Sequence, residues 1–295
     1  DRDFRDIFFT EWNVNRSSAK ELHRETDIDG VTYTVGEMIA GMSTAPQRAE
    51  GSKYNQFSPK PGKDMTVGTD IHKFAFRATE EMRDYGRFNQ PGEYARLMSQ
   101  IMDHTTLVQV YNLLNRAFSA TYPTKYDATE LCSTAHPLAL GGGATASNRL
   151  AADADLSETS LEALIELMLR TTNEDGVYTA RNPRYLVTST ASWGDNIRLT
   201  GSTQTTLQAA GTSGNAINAV TRAYNLVPHF SPLLTDPDAS FLMAERSPLN
   251  LVWTRRPELK AAYIDQDTDD WVWKIKAMFT AVADTWRGIA GTPGA

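Results

Sequence analysis

The 295-residue chain predicts an α+β fold, and three patterns carry that prediction. From Pro91 onward, Leu97, Ile101, Val108, Tyr111, Leu114 and Phe118 recur at three, four and seven, with no Gly or Pro until Pro123; this is the mark of one long helix. Towards the end, Leu249, Leu251 and Trp253 alternate with other residues, and Trp271, Trp273, Ile275, Ala277 and Phe279 alternate more clearly, as strands do. Between Thr44 and Asp70 the chain carries Pro46, Gly51, Pro59, Pro61, Gly62 and Gly68, lysines 53, 60 and 63, and few aliphatics. A stretch of that kind cannot bury itself, and ordered loops of that length usually have a task.

Composition bounds the rest. A hydrophobic content of 41%, with 6 Trp, 11 Tyr and 11 Phe, supports a substantial core in one large or two ordinary domains. No apolar run is long enough to span a bilayer, so no membrane partner is expected, and the start does not resemble a signal peptide. The first residue is Asp1 and not Met, so N-terminal material is expected to be missing. One cysteine forms no internal disulfide and suits a reducing compartment. The net charge of -7 argues against a protein whose main task is to grip nucleic acid, although it suits a wall that merely surrounds it.

The elements follow in order. Phe4, Phe8 and Trp12 fall at helical spacing, which fits either an arm packed on a neighbour or a helix docked on the chain's own core. Val31, Tyr33 and Val35 alternate as a strand; His72, Phe74 and Phe76 read as the return strand of an extended arm. Pro91 fits a first helical turn, and the helix should run to about Thr121, a rod of about 45 Å. Ser157 is a candidate N-cap, with Leu161, Leu164, Ile165 and Met168 as the buried face and Gly176 as the close. Tyr185–Val187 suits a buried strand, Ala191 to Leu199 a helix, Thr200 to Gly214 a loop, and Val220–Val227 and Phe241–Met243 short strands. Asp265, Asp267, Asp269 and Asp270 form an acidic, solvated turn between strands; no internal repeat is present.

Candidate chemistry is sparse. Cys132 and His136 would share a face of a helix and suggest a thiol hydrolase. Pro137, however, pushes His136 towards extended backbone, and no orienting partner or oxyanion pocket can be assigned. The five histidines are scattered, and one thiol with no His-Glu-x-x-His leaves no zinc site. The acidic turn lacks the glycine and terminal glutamate of a calcium loop. Gly141-Gly142-Gly143 lacks the ending of a phosphate loop and reads as a linker between two substructures; Arg255-Arg256 reads as a solvated pair. The sequence nominates no catalytic, cofactor-binding or metal-binding residue, and no enzyme.

Two short regions carry a resemblance. Leu131-Cys132-Ser133-Thr134-Ala135-His136-Pro137, the glycine run and Ser147-Asn148 resemble the corresponding region of Mu-like major head subunits of tailed phages. Asp284-Thr285-Trp286-Arg287-Gly288-Ile289 resembles the Trp-Arg-Gly ending of that family. The resemblance covers roughly residue 25 to the C-terminus and implies the Hong Kong 97-like capsid fold. It implies an N-terminal arm (1–30), an extension-loop hairpin with its base strands (31–80), a peripheral domain with a long spine helix (81–149), an axial domain (150–245) and C-terminal strands that return to the peripheral domain (246–295). It further implies a major capsid protein that self-assembles as hexamers and pentamers of an icosahedral shell in a virion, put together in the host bacterial cytoplasm. Packaged double-stranded DNA would be met by weak non-specific contact, and portal, scaffold and decoration proteins are further partners. An encapsulin-like nanocompartment shell is the alternative within the fold. Some members of this fold cross-link through the extension loop; Lys53, Lys60 and Lys63 lie in the arm without a matching motif, so that chemistry is not carried over.

Overall fold

A computed structural model describes residues 2–15, 20–39, 47–54, 60–81, 90–138, 143–174, 176–201, 220 and 223–295. The chain folds into two compact units. One comprises 1–33, 67–110 and 249–282; the other comprises 34–66, 111–248 and 283–295. The fold is α+β, as the patterns predict.

The first unit is built on a four-stranded sheet. Its strands β1 (Arg24–Asp27), β10 (Leu249–Ile264), β11 (Trp271–Ala283) and β4 (Asp70–Ala78) lie in that order. Along β11, Trp273, Ile275, Ala277 and Phe279 are buried, while Lys274 is exposed and Lys276 half-buried between them, as a half-buried strand requires. β4 runs antiparallel to β11 and sets Phe76 opposite Trp273 and Phe74 opposite Ile275. Phe76 stacks on Trp273 at 5.8 Å and on Tyr94 at 4.1 Å between ring centroids. His72, Phe74 and Phe76 therefore belong to this sheet and are not the return strand of the arm. The reason is the apolar inner row of β11, against which their rings pack.

The N-terminal helix α1 (Arg2–Asn15) docks within its own unit. Phe8 and Trp12 are buried, and Trp12 meets Trp253 edge-on at 6.3 Å. Burial of two such side chains contributes about 3–6 kcal/mol. At the acidic turn, Asp265 N–H bonds Asp270 C=O, and Asp269 adopts φ +51°. The turn is pinned as well as solvated, because Arg77 lies 2.7 Å from Asp265 and 3.3 Å from the buried Asp270. Arg256 is likewise engaged, at 2.8 Å from both Glu25 and Asp27.

The long helix α2 spans Gln90–Asn115, about 39 Å, and stops short of Thr121. Its end is set by Asn115, whose side chain donates to Leu233 C=O and accepts from Thr235 N–H, while Ala117 N–H folds back on Leu114 C=O. The buried stripe is Ala95, Met98, Met102, Val110, Tyr111 and Leu114. Leu97 and Ile101, expected inside, are 50% and 52% exposed. The helix is apolar on two faces, and periodicity alone could not choose between them.

In the second unit, strands β12 (Ile289–Thr292), β9 (Ser240–Ala244), β7 (Pro183–Ser189) and β8 (Val227–Ser231) form a sheet in that order, with β7 and β8 parallel. Helix α3 (Glu158–Leu169) starts at Ser157, whose hydroxyl accepts from Ser160 N–H, and buries Leu161, Leu164, Ile165 and Met168 as expected. Those side chains pack with Leu186, Leu199, Leu242 and Ala290 in one core. The helix ends at Leu169, not Gly176; Gly176 serves a later turn at φ +78°. Helix α4 covers Trp193–Gly201. The loop expected at Thr200 to Gly214 falls outside the described residues beyond Gly201. The strand expected over Val220–Val227 begins only at Val227; Val220 and Ala223 are helical.

Strands β2 (Thr32–Ile39) and β3 (Lys60–Gly68) pair as a two-stranded ribbon, so the strand that returns to β2 is 60–68 and not the expected 72–76. Residues 47–54 between them are all exposed, Tyr54 at 97%. A second ribbon pairs β5 (His136–Pro137) with β6 (Thr145–Ala146). Gly141 and Gly142 lie outside the described residues, and Gly143 turns at φ +95°. The glycine run thus joins two paired strands, one reason it does not read as a linker between substructures: Leu138 N–H already bonds Ala144 C=O across it.

Candidate functional site

The motifs that made no chemical sense in the sequence meet in one place in the second unit. His136, on β5, is fully buried, and its ring lies flat on Trp286 at 4.4 Å and 7°. Its Nδ1 is 2.7 Å from Asp127 Oδ2 and 2.9 Å from Thr129 Oγ1, and its Nε2 is 2.9 Å from Asn148 Oδ1. The side-chain amide of Asn148 points its nitrogen at the carbonyls of Leu131 (2.9 Å), Ile289 (3.1 Å) and Trp286 (3.4 Å). Its oxygen is therefore the atom that faces His136, and it accepts from Nε2 and from Ser133 N–H at 2.8 Å. Burial alone would raise the Asp127 carboxyl, but hydrogen bonds from His136, Thr124 and Thr129, with the charge of His136, hold it well below the ordinary carboxylate range. Ionised, it accepts from His136 Nδ1.

Arg287 forms the second half of the cluster. Its Nε donates to Thr172 C=O at 2.6 Å, Nη1 to Tyr126 Oη at 3.0 Å and Nη2 to Glu174 Oε1 at 2.8 Å. Tyr126 donates to the same carboxylate oxygen at 2.8 Å. Burial works against the guanidinium charge, and Glu174 and Tyr126 more than restore it. Lys63, on β3, reaches this cluster: its Nζ donates to Pro137 C=O at 2.6 Å, stands 3.8 Å from Glu174 and lies 5.1 Å from the Tyr126 ring centroid. Gly288 follows at φ +94°, a left-handed turn that leads into β12 and that a side chain would strain.

This arrangement fastens segments together; it does not present a reacting group. Cys132 has no exposed surface, and burial pushes its thiol well above the ordinary value, with Arg149 opposing only part of that. Both nitrogens of His136 are held by Asp127, Thr129 and Asn148, so neither is directed at the thiol. The proposed dyad thus lacks an activated nucleophile. Sequence reasoning found Cys132 and His136 but not Asp127, Tyr126, Glu174 or the roles of Asn148, Trp286 and Arg287. The available signal was that Ser147-Asn148 and Trp286-Arg287-Gly288 were distinctive without a catalytic rationale.

A family model described as "Phage capsid protein" matches residues 64–291, and the chain belongs to that family. The Mu-like likeness rests on the short motifs, and the matched family is the broader one. No curated protein matches. Among solved structures, a capsid of a native GTA particle aligns at TM-score 0.60 and 9% identity, covering 94% of this chain and 89% of that one. Microbacterium phage Oxtober96 aligns at 0.56 and 13%, covering 94% and 90%. The virus-like particle from Pyrococcus furiosus aligns at 0.53 and 12%, covering 99% and 98%. These likenesses show the Hong Kong 97-like capsid fold, and the family makes the chain a major capsid protein and a structural component of a virion.

Proposed function

We propose that the chain is the repeated tile of a closed icosahedral head, assembling as hexamers and pentamers around double-stranded DNA in the host cytoplasm. The observation that carries this reading is the arm. The β2–β3 ribbon is held at its root by Lys63 and by Met65, which is buried, while residues 47–54 expose every side chain. An isolated ribbon is marginal in water, and a fully exposed tyrosine at its end suits contact with an identical neighbour. The exposed Leu97 and Ile101 of α2 offer further apolar area to the same kind of contact. In this reading the extension loop is the ribbon, the spine is α2, and the axial domain is the sheet of β7, β8, β9 and β12 with α3 and α4. Portal, scaffold and decoration proteins would meet the finished shell.

The test removes residues 47–54 and leaves Lys63 and Met65 in place. The variant should fold, as judged by circular dichroism, yet form no particles by electron microscopy under conditions where the parent chain does. Normal particles from the variant would refute the role given to the arm. Nuclease-protected DNA in parent particles supports a genome container, and particles filled with protein instead would point to a nanocompartment.

A further inference from the structure

We propose that the outer face of the first unit's sheet carries a phosphate-contacting groove for duplex DNA. The inference rests on the genome-container reading and gives it a point of contact. Lys73, Lys260, Lys274 and Lys276 line an open groove of about 370 Å³ across β4, β10 and β11. Lys73 and Lys276 are register partners on adjacent antiparallel strands. Like charges placed directly opposite one another destabilise a sheet, so this pair calls for an anion to sit over it. Lys274 lies two residues along the same strand, with its ammonium 4.2 Å from the Tyr263 ring centroid. Among the described residues none of the four lysines forms an ion pair. Of the acids on these strands and the turn that joins β10 to β11, Asp265 and Asp270 are held by Arg77, and Glu258 by Arg255. In a chain of net charge -7, four unneutralised cations in one groove are a marked local reversal.

The choice of DNA over an acidic protein segment follows from the residue type. Interfaces between proteins are depleted in lysine and draw their affinity from buried aromatic and arginine anchors. Here the groove offers point charges on flexible stems and an alanine floor at Ala75. Such a surface reads no bases but can position a backbone. Two residues along a strand advance about 6.8 Å, and neighbouring strands stand about 4.8 Å apart. Over about 7 Å of its axis a duplex presents about four charges, one for each lysine. Contact of this kind is weak, salt-dependent and indifferent to sequence, as a wall must be if packing and release are to proceed.

The experiment measures binding of a fluorescent 20-base-pair duplex to the unassembled full-length chain by anisotropy, at salt from 50 to 200 mM. Four phosphate contacts predict a slope of about -3.6 in log K against log salt, a loss of about 150-fold over that range. The double variant Lys73→Gln/Lys276→Gln should show a slope of about -1.8 and a loss of only about 12-fold. Lys125→Gln, in the other unit, should behave as the parent. An unchanged slope in the double variant, or no binding by the parent at 50 mM salt, overturns the proposal. So does displacement of the duplex by polyglutamate at equal charge together with loss of particles in the double variant, which would assign the groove to an acidic segment of a second copy. Electron microscopy separates the two levels. Particles that form normally while the slope is unchanged sink the groove alone, whereas a parent chain that never assembles sinks the container reading.

Discussion

Replacement of Asn148 by alanine strikes a side chain that ties 131–136 to 286–289 within the buried cluster. The substitution removes an acceptor from Ser133 N–H at 2.8 Å and from His136 Nε2 at 2.9 Å. It also removes donors from the carbonyls of Leu131 and Ile289 at 2.9 and 3.1 Å, and a longer contact to Trp286 at 3.4 Å. Asn148 is 3% exposed, so bulk water does not replace these bonds. Each buried polar group left without a partner costs about 1–3 kcal/mol. Four short bonds would then sum to about 4–12 kcal/mol, but the space left by the amide can hold a water with several polar partners, which recovers part of it. The expected loss is about 3–5 kcal/mol, a large share of a total stability of about 5–15 kcal/mol. For a chain of this size the melting temperature of the unassembled protein should fall by about 6–15 °C. The assay is thermal unfolding followed by near-ultraviolet circular dichroism, which reports the Trp286 ring in its stack. A shift below about 3 °C would falsify the view that this side chain fastens the second unit.

Removal of Glu174 by Glu174→Ala leaves Arg287, 5% exposed, without its carboxylate, and should cost about 3–5 kcal/mol by urea unfolding; a change under 1 kcal/mol contradicts the pairing. Asp127 has a lowered folded-state value, so its contribution is present above the unfolded value of about 4 and is lost as pH falls through the folded one. The stability gap between the parent and Asp127→Asn should therefore shrink below about pH 4 and stay constant from pH 5 to 8; a gap that widens in acid refutes the sign. Gly291→Ala would put a Cβ 2.9 Å from Phe241 Cδ1 and 3.1 Å from Phe118 Cζ, and should lower stability by about 1–3 kcal/mol in chemical denaturation, with an unchanged midpoint as the contrary result. Lys63→Met should unfold at nearly the parent temperature yet expose the ribbon root to limited proteolysis, whereas equal proteolysis of both would deny that Lys63 pins it.

Much of the fold was legible because its strongest signals are local. The Ser157 cap, the buried face of α3 and the alternation along β11 follow from neighbours in sequence, and all three stand as predicted. The errors fell where long-range packing decides. Leu97 and Ile101 share the helical period of the true core stripe, and only the partners of α2 reveal which face is buried. Phe74 and Phe76 looked like the far side of a hairpin, yet their rings needed the apolar row of β11, about 200 residues away. The buried cluster was the least legible part. Asp127, His136, Asn148, Trp286 and Arg287 converge from three stretches of chain, and no spacing rule connects an asparagine to carbonyls 138 and 141 positions later. What the sequence offered was the motifs themselves, which made sense as a family resemblance before they made sense as chemistry.

The order in which the chain is made gives the Trp286 stack a further meaning. His136 leaves the ribosome about 150 residues before the indole that covers it, a wait of about 8–30 s at ordinary synthesis rates. Until then the imidazole lacks the ring that covers it, Glu174 has Tyr126 and Lys63 but not Arg287, and the edge of β9 awaits β12. A nascent copy is therefore an unfinished piece until residues 286–292 have joined it. A polypeptide that stops before Trp286 lacks both this stack and the β12–β9 pairing.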